Sequence, residues 1–134
     1  MAKLPSDPNR TYRDFSFSFA HHPVTGDLAM LTGGTAVSRS IRNLVSTDFF
    51  ERYFDPKFGS GVKQSLFEPA NGVTSSMLKN KIEDVIENYE PRAELIEVNV
   101  ELEVDEMYYK ADIIFRITSE LSPIEIEIFL KTNR

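Results

Sequence analysis

The sequence predicts an α+β fold: an antiparallel β-sheet, made of a carboxyl-terminal three-stranded meander plus an amino-terminal strand pair, covered by two main α-helices. Three observations lead there. The last third of the chain alternates apolar and polar residues in three consecutive runs, the period of half-buried strands. Two earlier segments repeat apolar residues at helical spacing. The connections between the three runs are too short for parallel crossovers, so they join antiparallel neighbours. Helices packed on one face of such a sheet give the α+β class.

The first dozen residues are polar and carry Pro5 and Pro8. They are expected to form a flexible arm (1–12) ahead of a single domain (13–134). Phe15, Phe17 and Phe19 alternate with hydroxyls and predict a strand. His21 to Asp27 supplies turn residues, and Leu28 to Leu31 is expected to pair back before Gly33-Gly34 ends the strand. Val37, Ile41, Leu44 and Val45 form an apolar stripe, which predicts a helix capped by Thr35 or Ser38 and reaching about Thr47.

Residues 48–73 are irregular, with Phe49, Phe50, Tyr53, Phe54, Phe58 and Phe67 among prolines and glycines. Leaving each aromatic wet forgoes ~1.5–3 kcal/mol of burial, so this loop is expected to pack down, with a helical turn near Lys63 to Phe67. Thr74 or Ser75 is expected to start the second main helix, whose face is Leu78, Ile82, Val85, Ile86 and Tyr89. Pro91 disfavours helical geometry at Glu90 and ends it. Ile96, Val98, Val100, Leu102 and Val104 then share a strand face. After a turn at Asp105-Glu106 comes the face of Tyr109, Ala111, Ile113, Phe115 and Ile117, and after Ser122-Pro123 that of Ile124, Ile126, Ile128 and Leu130.

Composition narrows the function. The 134 residues suit one domain able to bury roughly two-thirds of its unfolded surface. No cysteine is present, which excludes disulfides and thiolate metal sites and fits an intracellular origin. No apolar run approaches the ~20 residues that span a bilayer, and no signal peptide is recognisable, so no membrane partner is expected. A net charge of −6 with dispersed Lys and Arg disfavours nucleic acid. Gly33-Gly34 lacks the lysine and hydroxyl of a phosphate loop. His21-His22 reads as a turn pair rather than metal ligands, because adjacent histidines diverge. No cofactor and no metal are expected.

Glu90-Pro91-Arg92 is the constellation with most chemical content. Proline fixes a sharp helix exit between a carboxylate and a guanidinium, whose planar fork can grip carboxylates or carbonyls. The plain alternative is a helix stop with two solvated charges. The strand from Ile124 to Leu130, if an edge, adds a second means of association, because unpaired N–H and C=O groups can accept a strand from another chain; the plain alternative is an ordinary edge guarded by Glu125, Glu127 and Lys131.

Helix, then Tyr89-Glu90-Pro91-Arg92, then alternating strand resembles the baseplate wedge family of contractile-tailed phages, related to the type VI secretion baseplate component TssE. Ala36-Val37-Ser38-Arg39-Ser40-Ile41-Arg42-Asn43-Leu44 is similar to that family's first helix. Phe54-Asp55-Pro56-Lys57-Phe58-Gly59, Leu66-Phe67-Glu68 and the terminal Thr132-Asn133-Arg134 match it in order. The resemblance spans about residues 35–134. One departure is Phe50-Glu51-Arg52, where many members carry Gly-Glu-Arg.

The resemblance implies a structural virion protein of the tail baseplate, made in the host cytoplasm and present in several copies. Glu90, Pro91 and Arg92, with Glu51 and Arg52, would contact the helical core bundle of other baseplate wedge proteins. The strand holding Ile124, Ile126 and Ile128 would start the sheath by strand exchange with the tail sheath protein. The family's older lysozyme label implies the rival, a peptidoglycan hydrolase with paired carboxylates among Glu51, Glu68 and Glu90. A carboxylate beside a guanidinium is a poor proton donor, which weighs against that rival.

Overall fold

A computed structural model of the chain describes residues 13–15, 24 and 30–132. The expectations for the arm, for Phe17 and Phe19, for the His21-His22 pair and for the last two residues lie outside these. Strands β1 (Arg13–Phe15) and β2 (Met30–Thr32) pair antiparallel as a separate ribbon. Helix α1 (Gly33–Ser46), a short helix α2 (Val62–Ser65) and helix α3 (Gly72–Tyr89) follow. Strands β3 (Ala93–Glu103), β4 (Tyr108–Ile117) and β5 (Pro123–Lys131) form an antiparallel sheet in the order β3-β4-β5. This is the expected α+β arrangement. Among the described residues, no helix is long and apolar enough to cross a membrane.

Both helices bury the stripes their spacing predicts: Val37, Ile41, Leu44 and Val45 from α1, and Leu78, Ile82, Val85 and Ile86 from α3. These pack against Val98, Tyr109, Ile113, Phe115 and Ile117 on one face of the sheet. Tyr89, expected on the same stripe, is partly exposed instead, its ring against the loop before α2.

Helix α1 begins before either expected cap. Gly33 takes φ +58° directly after β2. A Cβ at Gly34 would lie 2.6 Å from Ile124 Cδ1, so the bare backbone lets the start of α1 sit on the start of β5. Helix α3 also begins earlier than expected. Asn71 is its N-cap, accepting from the Thr74 amide at 2.9 Å, while Thr74 Oγ1 donates to Pro69 O.

Strand β3 departs from simple alternation. The register slips between Leu95 and Glu97, a bulge that leaves Ile96 opposite no partner. Ile96 is 55% exposed as a result, and Leu95 takes the place on the core side. Val104, expected on that same face, lies exposed in the turn beyond the strand. Pro123 opens β5, a position where a missing N–H is tolerated.

The Tyr109 hydroxyl is fully buried and has no hydrogen-bond partner among the described residues. An unsatisfied buried donor costs about 1–3 kcal/mol. Tyr109→Phe is therefore expected to raise stability by about 1 kcal/mol, seen as a higher urea midpoint at unchanged slope.

Candidate functional site

Glu90 terminates α3. Its amide donates to Ile86 O at 2.9 Å, and its carbonyl accepts from the Ala93 amide at 3.3 Å. Pro91 and Arg92 thus occupy the middle of a tight turn, with proline where its fixed φ suits the first central position. Pro91 is exposed, whereas Glu90 is only 2% exposed.

A carboxylate so deeply buried needs donors. Arg92 supplies two in bidentate form: Nε donates to Oε1 at 2.6 Å and Nη2 donates to Oε2 at 2.8 Å. Ser40 Oγ of α1 donates to Oε2 at 2.5 Å. The corner is therefore an internal tie that joins α1, the end of α3 and the entry to β3. Nothing in the sequence pointed to Ser40. It flanks the apolar stripe of α1, but its partner lies fifty positions along the chain.

Glu51 and Arg52 sit on the loop between α1 and α2. Its neck is closed by Ser60, whose amide donates to Thr47 O at 3.0 Å and whose buried hydroxyl donates to Val45 O at 2.8 Å. A Cβ at Gly59 would lie 2.6 Å from the backbone at Asp48 and Phe49, so only glycine closes the neck this tightly. This is the construction of an Ω-loop, with ends pinned and tip projecting. Glu51 accepts from Lys63 Nζ at 2.6 Å and from the Asp48 amide at 3.0 Å. Lys63 first, then that amide, holds the Glu51 carboxyl below its ordinary value of 4.5. The folded-state depression keeps these bonds at neutral pH, and they are lost only as pH falls through the lowered value.

The Arg52 guanidinium stacks 4.0 Å from the centre of the Phe58 ring, and Phe58 meets Tyr89 edge-on at 4.7 Å. Tyr89 OH donates to Lys57 O at 3.4 Å. One chain of contacts thus runs from Arg52 through Phe58 to the residue before Glu90. The structure brings the loop and the corner together at the end of α3.

Packing stops at Phe58. The expectation that every loop aromatic packs down is corrected at the tip, where Phe50, Tyr53 and Phe54 project into solvent, and at Phe67 after α2, which is also exposed. The neck hydrogen bonds fix the backbone, so no collapse of these rings is needed to order it. Phe50 also has φ +66°, a left-handed conformation for a bulky residue, and is 81% exposed. That is the position of the departure from Gly-Glu-Arg, and the backbone takes a left-handed turn here without glycine.

Glu68 lies exposed after α2. Ile126 and Ile128 bury their side chains in the core and Ile124 is half-buried; the strand that holds them is an edge of the three-stranded sheet. Among the described residues, no group of three or more His, Asp or Glu could hold a metal ion.

The family model of baseplate wedge protein gp25 matches residues 32–123. Baseplate wedge protein gp25 of Enterobacteria phage T4 is 29% identical over 99 residues, covering 74% of this chain and 75% of that protein. A crystal structure from Geobacter sulfurreducens, whose tail-lysozyme name is provisional, superposes with TM-score 0.70 at 26% identity, over 79% of this chain and 98% of its own. A chain of the anti-feeding prophage baseplate shares the fold, with TM-score 0.63 at 23% identity over 92% of this chain and 88% of its own. The match of the family model covers most of the chain, which belongs to the baseplate wedge protein gp25 family.

Two stability predictions follow from this site. Removing one partner of a buried ion pair costs roughly 3–5 kcal/mol, so Glu90→Ala is expected to lose that much, and Ser40→Ala about 2 kcal/mol. A double-mutant cycle on urea midpoints should show the two losses to be non-additive. At the loop tip, the left-handed penalty of about 1–2 kcal/mol exceeds the entropic cost of glycine. Phe50→Gly is expected to stabilise the isolated chain by roughly 0.5–1 kcal/mol, and Phe50→Ala, which keeps a Cβ at that φ, to leave the melting midpoint where it was.

Proposed function

We propose that this member of the baseplate wedge protein gp25 family is a non-enzymatic assembly subunit of a contractile-tail baseplate, with two docking surfaces. The first is the corner of Glu90, Pro91 and Arg92 together with the loop of Glu51 and Arg52. It docks on the helical bundle of neighbouring wedge proteins. The second is the β5 edge, which takes an extended strand from a sheath subunit and so starts the sheath.

The observation that carries the first surface is the pinned loop. A closed neck and the Arg52–Phe58–Tyr89 contacts hold a tip where Phe50 is largely exposed and Tyr53 and Phe54 are fully exposed among the described residues. Rigid aromatics presented at low entropic cost are the usual anchors of protein interfaces. Glu90 serves this surface from beneath, by fixing where Arg92 and Pro91 sit.

The same geometry speaks against hydrolysis. A glycosidase needs a carboxylic acid with raised pKa facing substrate. Both Glu90 oxygens already accept from Arg92 and Ser40, and Glu51 is shifted in the opposite direction.

Tyr53→Ala combined with Phe54→Ala tests the docking reading. Both side chains are exposed, so the variant is expected to fold with stability within about 0.5 kcal/mol of the parent. Incorporation into baseplates, measured by co-sedimentation with the other wedge proteins, should fall at least about tenfold, the loss of one modest interface anchor. Incorporation at the parental level would refute docking through the loop. Clearing of peptidoglycan by the purified chain, abolished in Glu51→Gln or Glu68→Gln, would refute the non-enzymatic reading.

A further inference from the structure

We infer that the β5 edge selects an extended partner segment in which basic residues alternate with apolar ones, and that Arg42 occupies the edge until such a segment displaces it. This rests on the proposal that β5 accepts a strand, and adds which strand and what guards the place.

The direction of the β5 main chain comes from two contacts. Thr132, just past β5, donates its amide to Met107 O at 3.1 Å, on the β4 side. Arg42 Nη1 of α1 donates to Glu127 O at 2.7 Å, on the opposite side. In an antiparallel strand the N–H and C=O of one residue point the same way, and successive residues alternate. Even-numbered β5 residues therefore bond β4. Glu125, Glu127, Phe129 and Lys131 turn their main-chain groups to the open side.

A groove of about 660 Å³ runs along this open side, between Arg42 and Ser46 of α1 and residues 125–129 of β5. A strand laid in it would place its alternate side chains in two different environments. Those opposite Ile126 and Ile128 point inward beside α1, where the core is apolar. Those opposite Glu125 and Glu127 point to the outer face of the sheet.

That outer face is acidic. Glu94, Glu97, Glu101, Glu103, Glu125 and Glu127 share it with Lys110, Arg116 and Lys131. Lys110 reaches both Asp112 at 3.2 Å and Glu127 at 3.1 Å, and Arg116 pairs with Glu94. Glu125 has no ion-pair partner among the described residues. Cross-strand pairs of opposite charge are favourable and like charges opposed are unfavourable, so these carboxylates favour Lys or Arg in the incoming strand. The same carboxylates deter pairing by acidic strands, the usual way an edge is protected. Arg42 adds a second guard, since its guanidinium takes a carbonyl that an incoming amide must claim, and its charge repels a basic strand until it swings away.

The test uses the isotope-labelled full chain and short capped peptides, with amide exchange and chemical shifts at Glu125, Glu127 and Phe129 as readout. An alternating Lys-Val peptide is expected to protect these amides. Alternating Glu-Val should bind about tenfold more weakly, the swing from favourable to unfavourable cross-strand charge. A Lys-block, Val-block peptide of the same composition should leave the amides unprotected, which separates register from simple charge attraction. Arg42→Ala should bind the Lys-Val peptide several-fold more tightly, by release of one exposed charge-assisted bond. Equal protection by Lys-Val and Glu-Val would overturn the charge selection while leaving strand addition intact. Unchanged affinity in Arg42→Ala would overturn the guarding role. No protection by any peptide, in parent or variant, would sink the strand-addition reading itself.

Discussion

Burying a carboxylate is unfavourable unless its lone pairs are met by donors, and the cost grows with each unmet one. Glu90 meets that condition with the two-pronged Arg92 guanidinium and the Ser40 hydroxyl. The three donors come from α1 and from the turn into β3, while the acceptor ends α3. The tie is consequently a constraint on relative position. Helix α3 lies along the sheet at β3, and α1 meets the start of β5 through Gly34 and Ile124. If α1 slid along α3, Ser40 would leave Glu90, and Ile124 would meet a side chain instead of Gly34. Apolar burial supplies most of the stability and tolerates small slides. The buried polar contact is directional, and it selects one placement.

This division explains what could be read in the sequence. Periodicity reports burial, so it located α1, α3 and the three long strands with their core faces. It reports nothing about a partner fifty positions away, and Ser40 was therefore silent. It also presumes an unbroken period. The bulge after Leu95 inserts one residue, and Ile96 leaves the core although its chemical type fits. Helix starts were misplaced for a related reason. Thr74 looked like a cap, but the cap is Asn71, and Thr74 uses its hydroxyl on Pro69 O.

The loop shows the limit of arguing from composition. Six aromatics in an irregular segment implied burial, on the premise that a loop is ordered by what it buries. Here Ser60 orders it through backbone carbonyls, and Gly59 lets the two ends touch. Order without burial leaves the tip aromatics available. Phe50 states the case most sharply. Its ring is largely exposed in a left-handed conformation, and glycine would hold the same turn without the strain. Contact with another chain, as proposed for the loop tip, would account for its presence.

The two proposed docking surfaces differ in what would keep them from premature association. The loop tip is small and isolated, and its rings cannot together cover the area of a stable interface. As a docking surface it would need the neighbouring corner to add area, and it would bind only a partner shaped for both. The β5 edge carries a continuous main-chain template, which any strand could use, and it depends on charge for discrimination. Glu125 and Glu127 face one side of that template, and Arg42 sits on the Glu127 carbonyl. A residue that only protected the edge could be any bulky cap. A guanidinium held by one carbonyl at an exposed site is readily displaced, because water replaces the lost bond at little cost. On the strand-addition proposal, the edge is thus closed to chance contacts and open to a segment whose own amides and charges complete what Arg42 gives up.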